Sequence, residues 1–261
     1  PMPARMAPPA VVLLPAAVQV ASGALYLWVA RIVLRRRVEG DARLANALFA
    51  TWWIALGLVF LAVPAYSVAT RTLGARDLAL AVTFVNVVLL LVVVAVWGLV
   101  YYLVYLYTGS QRAFWPVSAF YVAFSAVVLY LVAWMQPNGF DDEGTLTFVR
   151  ERLTGAPAVA LGLLFSLPVV LAALAYGSLF FRVRDPAPRY RIGLVAGAFL
   201  LQFGWSVVST ALQLPQRYPD SLALSLLSNA LGVVAAVSVL LAFKPPRAVR
   251  ERLALGAGSA H

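Results

Sequence analysis

Seven stretches of this chain carry no charged residue: 6–30, 44–70, 78–111, 113–140, 153–181, 192–216 and 221–243. Each holds at least 23 residues, and a helix crossing the hydrocarbon core of a bilayer needs roughly 20. Backbone amides at that depth find no water, so an apolar spanning segment closes its own hydrogen bonds by becoming helical. Of all residues 63% are hydrophobic and 11% charged, where a soluble domain carries about a quarter charged. A soluble globular domain is excluded. The expected fold is all-α, a polytopic membrane protein in which residues 1–261 form one heptahelical domain. Its seven transmembrane helices are expected at about 11–34, 44–69, 78–107, 113–135, 157–181, 191–213 and 220–243, before a short basic tail over 244–261.

Positive residues gather on cytoplasmic loops, which orients the chain. With the N-terminus outside, the inner face receives 14 Arg and Lys and four Asp and Glu, a net of +10, while the outer face sums to zero. The expected topology is N-terminus outside and C-terminus cytoplasmic. Basic loops facing anionic headgroups follow from topology, so the positive charge implies membrane lipid as a partner and no nucleic acid. A small-residue stretch at Ala21-Ser22-Gly23-Ala24 resembles a leader cleavage site. Cleavage there would leave Arg35, Arg36 and Arg37 outside, against the charge rule, so the first helix is expected to stay.

Turn residues punctuate the runs. Thr108-Gly109-Ser110 closes the third helix and Gln136-Pro137-Asn138-Gly139 the fourth. Asp185-Pro186-Ala187-Pro188 separates the fifth and sixth, and Lys244-Pro245-Pro246 stops the seventh. Proline lacks the N–H a helix needs, and Gly and Asn tolerate turn dihedrals. In the long outer connection from Pro137 to about Ala156, Thr145–Leu153 is read as a short surface helix.

An internal repeat runs through the chain. Leu14-Pro15, Gly23-Ala24-Leu25 and Arg31 in the first helix match Leu167-Pro168, Gly177-Ser178-Leu179 and Arg184 in the fifth. Asp77 precedes Asn86 by nine residues in the third helix, as Asp220 precedes Asn229 in the seventh. Trp52 and Trp53 in the second helix answer Trp205 in the sixth. Two three-helix units around a connecting fourth helix form a 3+1+3 parallel repeat.

The missing chemistry is as informative. None of the seven runs contains an ionisable Asp, Glu, Lys, Arg or His, and proton relays and voltage sensors need such groups at membrane depth. The chain has no cysteine, and its one histidine is the terminal His261, so metal and haem ligands are lacking. The Asp141-Asp142-Glu143 cluster is read as a solvated acidic loop. No catalytic residues, metal or cofactor are expected, and the chain is read as no enzyme.

Uncharged polar residues at membrane depth must find partners. Beside Gln19 and Asn46, the residues Ser22, Ser125, Ser166, Ser206, Ser209, Thr210, Ser225 and Ser228 are such groups, and these Ser and Thr residues are read as interhelical glue, worth about 0.6 kcal/mol per bond. Asn86 and Asn229 recur at one position of both units, and a pocket at a repeat interface places equivalent groups on both sides of its axis. The candidate ligand-binding residues are Trp53, Asn86, Gln202, Trp205 and Asn229, with dry packing as the competing reading. Tyr101, Tyr102, Tyr105, Tyr107, Trp115, Tyr121, Tyr130 and Trp134 read as packing or interface belts.

Leu25-Tyr26-Leu27-Trp28, Arg35-Arg36-Arg37 and Gly40-Asp41-Ala42-Arg43 resemble the opening of the seven-helix membrane sensor region of bacterial histidine kinases. Trp52-Trp53-Ile54-Ala55-Leu56-Gly57 is similar to that family's second helix, and Tyr105-Leu106-Tyr107-Thr108-Gly109 to the end of its third. Gln136-Pro137-Asn138-Gly139 is similar to the turn after its fourth, while Arg189-Tyr190-Arg191 and Asp220 fall at its loop before helix six and start of helix seven. The resemblance spans nearly the whole chain and implies a receptor-like protein of the bacterial inner membrane that binds a small or lipidic ligand. Only Arg247 to His261 follow the seventh helix, where that family continues into a kinase. The resemblance therefore implies a stand-alone module or part of a longer chain, signalling through a cytoplasmic partner. The candidate docking residues are Arg35, Arg36, Arg37, Arg189, Arg191 and Arg247. The 3+1+3 arrangement is also similar to the SWEET transporters, which implies a uniporter of a small neutral solute. The proline-glutamine motif of that family is missing from the inner ends of the first and fifth helices. A non-catalytic structural subunit is the third reading.

Overall fold

The computed structural model describes residues 9–36, 40, 42–132, 136–142, 146–148, 162–212 and 222–258. Helices dominate: α1 Pro9–Leu34, α2 Ala42–Arg71, α3 Leu78–Thr108, α4 Phe114–Val132, α5 Leu167–Arg182, α6 Pro186–Leu212, α7 Leu222–Phe243 and α8 Arg247–Gly258. By length and composition α1, α2, α3, α5 and α7 are long and apolar enough to cross a membrane.

Local chemistry explains the helix ends. The Asp77 carboxylate accepts from the Ala79 and Leu80 N–H groups at 2.8 and 3.1 Å, satisfying two of the donors that open α3. Gly109 ends α3 at φ 64°, a left-handed conformation that favours glycine, and its N–H reaches the Tyr105 carbonyl at 2.8 Å. Before α5, Gly162–Ser166 form one π-helical turn. Pro168 has no N–H for the carbonyl four residues back, which belongs to Leu164. That oxygen takes the Tyr121 hydroxyl of α4 instead, at 3.3 Å.

Three details depart from the sequence reading. Pro186 does not break the chain between α5 and α6; it stands at the first position of α6, where a missing N–H costs nothing. Pro137–Phe140 is no turn but a strand, β1, paired antiparallel with β2, Leu146–Phe148. Leu146–Phe148 is thus strand rather than part of a surface helix, Thr145 and residues 149–153 of that expected helix lie outside the described residues, and Arg76 anchors the hairpin by donating to the Asp142 carbonyl at 3.0 Å. The basic tail folds into α8, which packs on α6.

Neighbour relations close a ring. α1 packs on α2 and α7, α2 on α3, α3 on α5, α5 on α6, and α6 on α7, while α4 lies outside against α3. Glycine permits the closest approaches, as small residues do between apolar helices. A Cβ on Gly23 would stand 2.9 Å from the Gly57 carbonyl oxygen, and one on Gly98 2.6 Å from that of Leu48. The α1–α7 seam is held by the Tyr26 hydroxyl, which donates to the Gly232 carbonyl at 2.9 Å. α2 is the most enclosed: 61% of its apolar stretch is buried, against 17% for α3.

Among the described residues, several Ser and Thr hydroxyls turn back onto their own helix. Ser22, Thr51, Thr83 and Ser238 each bond the carbonyl four residues back in their own helix. Crossing bonds come from Ser166 with Ser206 at 3.2 Å, Trp97 to Ser118 at 3.0 Å and Asn46 to the Val33 carbonyl at 3.0 Å. The side chains of Ser209, Thr210 and Ser225 lie outside the described residues.

Candidate functional site

Trp52 and Trp53 are adjacent, so their side chains leave α2 about 100° apart, yet both are 0% exposed. That requires walls on a wide arc, and aromatic rings supply them as two circuits sharing Trp53. One runs Trp53–Phe199–Tyr176, crosses a 2.8 Å hydroxyl contact to Tyr102, and returns through Phe49. The other runs Trp53–Trp52–Phe165–Trp205–Phe60–Tyr26 and back, with centroids 5.1 to 6.5 Å apart. Spacings of 4.5–7 Å are those at which aromatic pairs attract.

Polar groups at this junction lack partners. Among the described residues, the Trp52 and Trp53 indole N–H groups are buried without a hydrogen-bond partner, and the buried Gln202 amide has the Tyr26 hydroxyl as its neighbour. They are neighbours around Phe199, which touches both indoles and sits one helical turn before Gln202 on α6. The Tyr26 hydroxyl donates its proton to Gly232, which leaves its oxygen to accept from the Gln202 amide. Each such orphan costs about 1–3 kcal/mol, and buried polar groups in folded proteins are otherwise almost always paired. Donors prevail here: the two indole N–H groups stand against one amide carbonyl. A molecule bearing oxygen acceptors complements them.

Of the residues expected to bind ligand, Trp53 and Gln202 meet at this junction, and Trp205 stacks into its second circuit. Asn229 is 2% exposed on α7, one turn before the Gly232 that binds Tyr26. Asn86 stands apart from the junction. It is exposed and accepts from the Gln136 amide at 3.3 Å, on a first half of α3 that buries only Ala81 and stacks Phe84 on Tyr66 of α2. A symmetric Asn86–Asn229 pair therefore does not line one interior site. Trp52, Tyr26 and Phe199 were missed as site members. The signal for Trp52 was present, since two successive tryptophans cannot both face lipid from an enclosed helix. Tyr102, read as belt or packing, lies inside the first circuit.

The Tyr102–Tyr176 contact ties α3 to α5 where the ring has few other links. Removing it with Tyr102→Phe is expected to lower stability by about 0.5–1.5 kcal/mol. Tyr176→Phe should add little once Tyr102 is gone. A double-mutant cycle on thermal unfolding checks this, and additive effects would mean that the hydroxyls do not interact.

The basic end holds the residues expected to dock a partner. Arg35, Arg189 and Arg191 are exposed; Arg189 lies over Phe180 at 4.6 Å, and Arg247 pairs with Glu251 at 2.9 Å. Arg36 is half-buried, its Cζ 4.3 Å from the centre of the Phe243 ring. Arg37 falls outside the described residues. No protein-family model and no curated protein matches this sequence.

Proposed function

We propose that this chain is a receptor-like integral membrane protein that binds a small or lipidic, acceptor-bearing ligand at the Trp52–Trp53–Gln202 junction. The reading rests on the cluster of buried, unpartnered donors inside an aromatic enclosure, the mix of apolar wall and few polar anchors that ligand sites use. Five membrane-length helices, together with the charge-free stretches that contain α4 and most of α6, support seven spans. The net charge of +10 at one set of loops supports an N-out, C-in orientation in a bacterial inner membrane. The resemblance to kinase sensor regions supports signalling through a cytoplasmic partner rather than catalysis.

The experiment is to purify the chain with its native lipids, denature it, and identify released molecules by mass spectrometry. We expect a stoichiometric molecule bearing carbonyl, carboxyl or hydroxyl oxygens, reduced about tenfold or more in Gln202→Leu, since one lost hydrogen bond of roughly 1.4 kcal/mol has that effect. If no molecule is released and Gln202→Leu is the more stable protein, the interior is dry packing and a structural subunit is the better reading.

One observation favours a second reading. The contacts α1–α2 and α5–α6, α2–α3 and α6–α7, and α1–α7 and α3–α5 occur in pairs, as two-fold-related three-helix units would give. A uniporter similar to the SWEET transporters predicts flux of a neutral sugar into proteoliposomes, and a receptor predicts none.

A further inference from the structure

α3 is longer than a bilayer is thick. Its 31 residues rise about 46 Å, against a hydrocarbon core about 30 Å thick. Holding the whole helix inside would tilt it by about 50°, where spanning helices average about 20° and reach about 40°. One end therefore projects, and the hairpin marks which. β1 packs on α3 between two hydrogen bonds. Gln136, just before the strand, donates to Asn86 at 3.3 Å, and beyond the strand's far end the Asp142 carbonyl accepts from Arg76 at 3.0 Å. The strand thus runs beside the stretch from Leu78 to Asn86. Among the described residues the sheet has two strands, so each has an edge with no strand beside it, and such edges do not face lipid. Asn138 of β1 is exposed on the same stretch, where acyl chains would leave its amide unpaired.

α4 gives the same level independently. The Trp97 indole donates to Ser118 at 3.0 Å, which sets α3 and α4 in register. From that bond towards the hairpin, Asn86 is 11 residues along α3 and Tyr130 is 12 residues along α4. Tyr130 is 72% exposed, as tyrosines at the edge of the hydrocarbon are. From Asn86 to the exposed Tyr107 at the other end of α3 there are 21 residues, a rise of about 31 Å that matches the core.

We propose that the hydrocarbon edge at the hairpin end passes through Asn86, that Asn86 and Tyr130 meet the lipid headgroups there, and that Leu78–Val85 with β1 and β2 form a cap outside the hydrocarbon. The proposal rests on the chain crossing a bilayer and is independent of a ligand at the tryptophan junction.

The chain has no cysteine, so single thiols report depth without background. Leu80→Cys and Thr83→Cys on α3, Asn138→Cys on β1 and Val122→Cys in the middle of α4 all replace exposed residues. Each full-length variant is placed in phosphatidylcholine nanodiscs, where both faces meet water, and reacted with a charged, membrane-impermeant maleimide. The thiolate is the reactive form, and surroundings that raise a thiol's pKa by about one unit already slow it about tenfold. We expect the two α3 thiols and the β1 thiol to label at least about tenfold faster than Val122→Cys. All four should label equally once denatured, and an unfolding temperature equal to that of the wild type shows that each variant is folded. If Leu80→Cys, Thr83→Cys and Asn138→Cys are as slow as Val122→Cys, the edge lies beyond Leu78 and the proposal is overturned, while the membrane-spanning reading stands. If Val122→Cys labels as fast as the other three, α4 does not lie in lipid and both are overturned.

Discussion

Gly98→Ala will lower the stability of this protein by about 1–3 kcal/mol, the cost of forcing extra volume into a filled interior. The new Cβ would sit 2.6 Å from the Leu48 carbonyl oxygen, a backbone atom in the second turn of α2 that no rotamer change can move aside. α2 and α3 must separate along their seam, loosening Trp97, Tyr101 and the residues packed there. The same substitution at Gly197 of α6 should have the opposite sign. Nothing lies within 4 Å of a Cβ at that position, and alanine is the better helix former by roughly 0.5–1 kcal/mol. Thermal unfolding of the two variants in one detergent checks the pair. Equal shifts would mean that α2 and α3 do not approach as closely as their backbones indicate.

Trp53→Ala should be the most damaging single change in the molecule. Its indole is 0% exposed and contacts Tyr26, Phe49, Trp52 and Phe199, so it joins both aromatic circuits. Truncating a buried aromatic residue costs about 3–5 kcal/mol, a large part of the roughly 5–15 kcal/mol that holds an ordinary domain together. Trp205→Ala should cost less, because Trp205 is only half-buried and its ring contacts are with Phe60 and Phe165. Yield of folded protein and unfolding temperature together separate the two. A Trp53→Ala variant as stable as Trp205→Ala would remove the junction from the centre of the fold.

The helices were legible because the physics that sets them is one-dimensional. A charge-free run longer than a bilayer is thick has one good solution, and Gly109 ended α3 where its turn residues said. Pro186 misled because proline is tolerated at a first helical turn as readily as in a loop, and sequence alone does not say which side of it the helix lies. The hairpin at Pro137 and Leu146 was hidden by its length, since strands of four and three residues carry too little alternation to stand out. In the site, Trp53, Gln202 and Trp205 could be named because buried polar and aromatic groups are conspicuous on apolar helices. Asn86 could not be placed. Which face of α3 turns inward depends on helices far away in sequence, and apolar residues surround Asn86 on every side. Arg36 was assigned to a docking surface by charge alone, while its burial against Phe243 depends on a residue 207 positions later.

The seam between α1 and α7 fixes an order of assembly. Tyr26 and the carbonyl it holds are 206 residues apart, and synthesis proceeds at about 5–20 residues per second, so roughly 10–40 s separate the emergence of one from the other. Through that interval α1 has α2 as a neighbour but not α7, and the face carrying Tyr26 stays open. A chaperone or insertase that shelters half-finished membrane proteins has its longest task on this one helix. A ribosome stalled before residue 222 should leave Tyr26 accessible to a lipid-soluble probe, and one stalled well past residue 258 should not.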